Sequence, residues 1–253
     1  MSRLKRFAGA ALAVLISGMA VVYAQEASLS DEQVQQRLAF ITKALEDGQP
    51  AAQRWWYGWI GAYTAGAVAG GVLAASHWHD TKLEGAETVP DREFAEGMLV
   101  GGATFALGVG PLVLDPFVAA TAAKKLRPLP ESSPLERRAK LNRAEQVLRE
   151  CARDEKDGRG LKTQLLNVGA NAAGAVVIKA IFHQSWGSAL VSFAAGEAVS
   201  LLNIFSQPMR ATRDLKRYET GFEADRGPLS RARPEPQWSL DLFPGGIRFS
   251  LKF

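Results

Sequence analysis

A chain of 253 residues with a single cysteine, Cys151, can bury a sizeable core but has no intramolecular disulfide with which to brace it. Its formal net charge of +4 comes without an uninterrupted basic tract interleaved with aromatics, which argues against nucleic acid as a partner. No Gly-x-Ser-x-Gly elbow, no phosphate-cradling Gly-Lys-Ser/Thr loop and no dinucleotide fingerprint after a strand is present, which speaks against the common hydrolase and nucleotide-binding classes.

The N-terminus carries Arg3, Lys5 and Arg6, then an uncharged run from Phe7 to Val22, then Val22, Tyr23 and Ala24. That order of basic, apolar and small residues is read by the secretion machinery and predicts a signal peptide over residues 1–24, cleaved after Ala24. The expected location is therefore the periplasm or the outer membrane.

A helical domain is expected over residues 25–222. Ser30 and Gln33 have the spacing of a capping box, and Val34, Leu38, Ile41 and Leu45 follow on one helical face. Gly48 and Pro50 are expected to punctuate that helix. From Trp55 to Trp78 no residue is charged, and Gly58, Ala62, Gly66, Gly70 and Ala74 recur at every fourth position, a stripe suited to close helix approach. A second uncharged run, Gly97 to Leu114, repeats the spacing with Gly102, Ala106 and Gly110, and Pro111 should kink or end it.

Ser133 and Glu136 form another capping box, with Pro134 at the first helical position. A charged amphipathic helix is expected from there to about Asp157, closed by Gly158 and Gly160. Leu141, Ala144, Val147, Leu148 and Cys151 share one of its faces, so the thiol is expected to be buried. An Ala- and Gly-rich helical region from Leu161 to about Tyr218, broken near Gln184 to Gly187, completes the domain. The predicted fold class is all-α: a bundle of about five to seven helices with Gly/Ala-rich close packing.

A polar linker over 223–237 leads to a C-terminal β-hairpin over 238–253. Trp238, Leu240 and Leu242 alternate with polar residues, as do Ile247, Phe249, Leu251 and Phe253, and Pro244, Gly245 and Gly246 supply the turn. This ending, alternating and closed by an aromatic residue, resembles the terminal strand of outer-membrane β-barrel proteins, and the resemblance implies recognition by the barrel-assembly machinery. The chain departs from that family in having too few other strands to close a barrel.

Candidate chemistry is sparse. His77, His79 and Asp80, with His183 as a third imidazole, are suitable ligands for zinc or a similar metal, against the plainer reading of a polar helix exit. Glu197 and Lys179 are isolated charges in apolar stretches, to be read as a buried pair or as residues on an exposed polar face. Trp55, Trp56 and Trp59 serve either as an interfacial or ligand-binding aromatic platform or as packing. With Trp238, Phe249 and Phe253 they are the interaction candidates.

No cofactor is expected. The leading functional expectation is a non-enzymatic envelope structural or interaction protein whose partner is an envelope protein or a membrane surface; a homo-oligomer is compatible with it. The alternatives are an integral helical membrane protein whose Gly-rich hairpins form a pore or remodelling unit, and a metal-dependent hydrolase. Against spanning stand the amides in the later runs and the eleven Lys and Arg of residues 115–160, which signal cleavage would place outside.

Overall fold

The computed structural model describes residues 29–222 and the strands 237–243 and 246–252. The expected signal segment, the linker up to residue 236, the turn residues Pro244 and Gly245, and Phe253 lie outside the described residues, as do the side chains of Trp238 and Phe249. The chain divides into two compact units, Val34–Tyr218 and, separately, Met1–Gln33 with Glu219–Phe253.

The elements in order are α1 (Asp31–His77), β1 (Thr81–Glu84), β2 (Glu87–Pro90), α2 (Glu93–Leu114), a 3-10 turn (Val118–Ala120), α3 (Ala122–Leu126), α4 (Pro134–Gly158), α5 (Leu161–Ala180), α6 (Trp186–Ser206), α7 (Arg210–Gly221), β3 (Gln237–Phe243) and β4 (Gly246–Lys252). The all-α architecture is as the sequence predicts. In the smaller unit, β3 and β4 pair antiparallel, with Trp238 opposite Leu251, Leu240 opposite Phe249 and Leu242 opposite Ile247.

Local signals at helix starts hold. Ser30 N donates to Gln33 Oε1 (2.8 Å) and Gln33 N to Ser30 Oγ (3.2 Å). Ser133 N likewise donates to Glu136 Oε2 (2.9 Å) and Glu136 N to Ser133 Oγ (3.2 Å). Each box satisfies backbone donors that the first turn leaves free.

Gly48 and Pro50 do not end the first helix, contrary to the sequence expectation: α1 runs unbroken for 47 residues. Pro50 lacks an N–H and so leaves the carbonyl of Glu46 without its helical partner, but both residues are exposed and water can take that bond. The flanking turn is held from elsewhere, because Gln49 Nε2 and Gln53 Nε2 both donate to Ala120 O, at 3.1 and 3.0 Å. Ala52, Phe117 and Ala120 then form a small core under Trp55 and Trp56.

The unpredicted element is the β1–β2 hairpin, closed by a two-residue turn in which Gly85 takes a left-handed φ of 67°. All but Val89 of its strand residues are exposed, so no apolar alternation marked it in the sequence.

Residues 34–54, 117–158 and 208–218 build a polar-surfaced head. Val34, Ile41, Val147, Leu148, Cys151 and Tyr218 are fully buried in it. A large aliphatic side chain buried this way contributes about 1.5–3 kcal/mol. Two adjacent acids of α4 cap neighbouring elements. Asp154 Oδ2 accepts from Val118 N (2.8 Å), and the Glu155 carboxylate accepts from Ala211 N (2.9 Å) and Thr212 N (2.7 Å). Burial pushes both carboxyls above their ordinary range, while the backbone N–H bonds pull the other way. The Cys151 thiol is buried as expected, and burial, followed by the charge of Glu155, pushes it up to about 12, which keeps it protonated and unreactive at neutral pH.

Candidate functional site

Beyond Arg54 the chain changes character. Residues 55–77 of α1, with α2, α5 and α6, form a four-helix bundle that packs on small residues. A Cβ placed on Gly70 would come within 2.6 Å of Gly102 Cα and 2.8 Å of Met98 O, so the backbones of α1 and α2 meet directly there. Gly66 lies under the Phe105 ring, and Gly108 under Tyr63. Gly174 of α5 fits against Val100 and Thr104 of α2, beside a buried cluster of Val100, Ile178 and Ala189. Gly196 of α6 lies against the Asn171 amide of α5.

The stripe on α1 is used over only part of its length. Gly70 and Ala74 are buried, but Gly58 and Ala62 are exposed, and a Cβ added to Gly58 would meet nothing within 4 Å. A four-residue repeat advances about 40° per step on a helix of 3.6 residues per turn, so the stripe winds away from its partner. On α2, Gly102 is buried, whereas Ala106 is exposed and Gly110 has open space beside it.

What the bundle turns outward is large and apolar. Leu107 is 70 % exposed, Leu166 64 % and Val191 71 %, with Val68, Val72, Val176, Leu190 and Leu202 also exposed. Three helices are long and apolar enough to cross a membrane, those beginning at Asp31, Glu93 and Trp186. The fourth, α5, has 20 residues and pairs with α6 as a hairpin. At 1.5 Å per residue these segments run about 30–34 Å.

Aromatic residues rim both ends. At the head end, Trp55 Nε1 donates to Asn203 O (3.3 Å) and Ser206 Oγ (3.2 Å), Trp59 Nε1 to Ser206 Oγ (3.0 Å), and Trp56 Nε1 to Leu112 O (2.7 Å). Arg159 Nη2 donates to Phe205 O and Gln207 O, at 2.9 and 2.6 Å. Apart from Trp59, whose acceptor is a hydroxyl, these donors occupy carbonyls that the C-terminal ends of α2 and α6 leave free. The three tryptophans are half-buried and engaged, so their packing role is real, while Tyr57 beside them is exposed. At the far end, the Arg92 guanidinium stands 5.4 Å from the Trp78 ring and Lys179 Nζ 5.9 Å from the Trp186 ring.

Glu197 and Lys179 are not a pair. Glu197 Oε1 accepts from Asn171 Nδ2 (2.7 Å), which also reaches Ser200 Oγ (3.2 Å), and Lys179 Nζ donates to Gln184 O (3.0 Å). Gln184 is buried and ties the two helical hairpins together, its Nε2 donating to Glu93 O (3.0 Å) and Glu96 Oε2 (2.9 Å). Glu197 stands out in the sequence as an isolated charge and Asn171 as an amide in an apolar run, but nothing in the local pattern pairs the two across the bundle.

The histidines are not assembled into a metal centre. Among the described residues no group of three or more His, Cys, Asp or Glu side chains could hold a metal. His77 Nδ1 lies 3.0 Å from Leu73 O and 2.9 Å from Ser76 Oγ, and its ring packs edge-on against Phe94. His79 and Asp80 are exposed. His183 takes a left-handed φ of 57° in the turn that ends α5, a conformation histidine adopts more readily than most non-glycine residues. Comparison with protein-family models, curated proteins and solved structures finds no match.

Proposed function

We propose that this is a non-enzymatic cell-envelope protein whose four-helix bundle is embedded in a lipid bilayer, with the charged head on one side and both helical-hairpin tips on the other. The observation that carries the reading is the burial pattern of the bundle: glycine, alanine and amide groups inside beside Val100, Ile178 and Ile204, and many leucine, valine and phenylalanine side chains outside over the thickness of a bilayer core. Exposed apolar area on that scale is costly in water and ordinary in lipid. The tryptophans at both ends fit interfacial belts.

The order of residues in 1–24 supports export, and the amphipathic C-terminal hairpin supports an outer-membrane association. An outer-membrane location also answers the charge objection, because the Lys/Arg bias governs helix insertion at the cytoplasmic membrane. The bundle with its head would then serve as an anchored interaction module.

Fractionation of cells producing the full chain, with carbonate washing of each membrane pool, tests this. The expected result is wash-resistant recovery with a membrane. Release into the soluble pool overturns it and leaves a soluble bundle that docks on a protein partner.

A further inference from the structure

Over the four membrane-length stretches, residues 55–76, 97–114, 163–178 and 186–206, Glu197 is the only charged residue. It also stands at mid-depth, twelfth of the 21 residues of α6, beside Asn171, the eleventh of the 20 residues of α5. Asn171 is 6 % exposed and sits between the helices because Gly196 offers no Cβ to block its amide. The Asn171 amide that meets the carboxylate from α5 is neutral, as is the Ser200 hydroxyl that the same amide reaches on α6. From α1 and α2 no charged residue stands at this level. On α5, Lys162 lies in the first turn, and Lys179, eight residues past Asn171, is engaged with Gln184 O.

A carboxylate at the centre of a bilayer with only neutral partners leaves one negative charge uncompensated, a costly arrangement that marks ion and proton sites in membrane proteins. We infer that Glu197, Asn171 and Ser200 form a site for one alkali cation at mid-depth of the bundle, where the Glu197 side chain is half-buried. Carboxylate and hydroxyl oxygens are hard donors suited to such an ion, and a half-turn of the Asn171 amide exchanges its donor for a third acceptor. The site rests on the membrane reading, because in water solvent would compensate the same charge.

The test uses the full chain in nanodiscs of zwitterionic lipid. Thermal unfolding is followed in choline, sodium and potassium chloride at equal ionic strength for the wild type and for Glu197→Gln. The expected result is a Tm that rises by about 3–5 °C for each tenfold increase in the bound cation and that does not respond in the variant. A response to sodium or potassium that the variant lacks assigns the alkali ion. The wild-type difference between alkali and choline salts decides the site even where the variant fails to fold. Equal responses in both proteins, or none, overturn the site. A chain that does not enter the nanodisc fraction overturns the membrane reading, and the site with it.

Discussion

The head and the bundle are built from one chain by opposite rules. In the head, α4 turns Leu141, Val147 and Leu148 inward and Arg149, Arg153 and Lys156 outward. In the bundle, α2 turns Gly102 inward and Leu99, Leu107 and Val113 outward. Burial of apolar side chains stabilises an element only where the alternative is water. Where large aliphatic residues are left outside in such number, close backbone contact and hydrogen bonds take over the work of holding helices together.

The sharpest way to break this comparison is to truncate a leucine in each region. Leu148→Ala removes a side chain that is fully buried, and it should destabilise the head by about 2–5 kcal/mol. Leu107→Ala, on the outward face of α2, should leave unfolding in detergent nearly unchanged. Equilibrium denaturation of both variants measures the gap, and equal losses would mean that Leu107 is covered by something other than lipid.

A charge should discriminate in the other direction. Leu107→Arg should cost about 2.5–3.5 kcal/mol of insertion free energy if that face meets the hydrocarbon core, and should reduce the carbonate-resistant fraction. Leu135→Arg, at an equally exposed position in the head, should stay within about 0.5 kcal/mol of wild type. Indifference at both positions would place the bundle in water.

Two neighbouring glycines test close packing within the bundle. Gly70→Ala drives a Cβ into the Gly102 backbone and should destabilise by about 1–3 kcal/mol. Gly71→Ala, with open space beside it, should gain about 0.5–1 kcal/mol through helix propensity. Thermal unfolding in one detergent resolves the sign, and a shared sign would show that the α1–α2 contact does not govern stability.

What is local in the fold was legible in the sequence. The capping boxes at Ser30 and Ser133 depend on groups three residues apart, and the buried face of α4, Cys151 included, follows from helical period alone. The continuity of α1 through Pro50 was hidden because it depends on Gln49 and Gln53 reaching Ala120, about seventy residues away. The spacing of small residues foretold close approach between helices, but not that Gly58 and Ala62 would rotate out of it, nor that Tyr63 would cover Gly108. The polar centre was half legible: Glu197 stands out in its apolar run, whereas Asn171 acquires meaning only when the α5–α6 turn brings it opposite. Periodicity is equally blind to solvent, so the outward leucines of the bundle could be read only once the fold had set their direction.

The smallest expected difference lies between two serine caps, one in each region. Ser133 holds the start of α4 through its reciprocal box with Glu136. Ser185 accepts from Ser188 N (3.0 Å) at the start of α6, but the residue before it is anchored by Lys179, Glu93 and Glu96. Ser133→Ala should therefore cost about 1–1.5 kcal/mol and Ser185→Ala about 0.5–1 kcal/mol, because the α6 start keeps its Gln184 anchor when the hydroxyl is lost. Denaturant midpoints for the two variants measure the order. A larger loss at Ser185 would show that the hairpin tip depends on its cap, and that Gln184 follows the turn rather than fixing it.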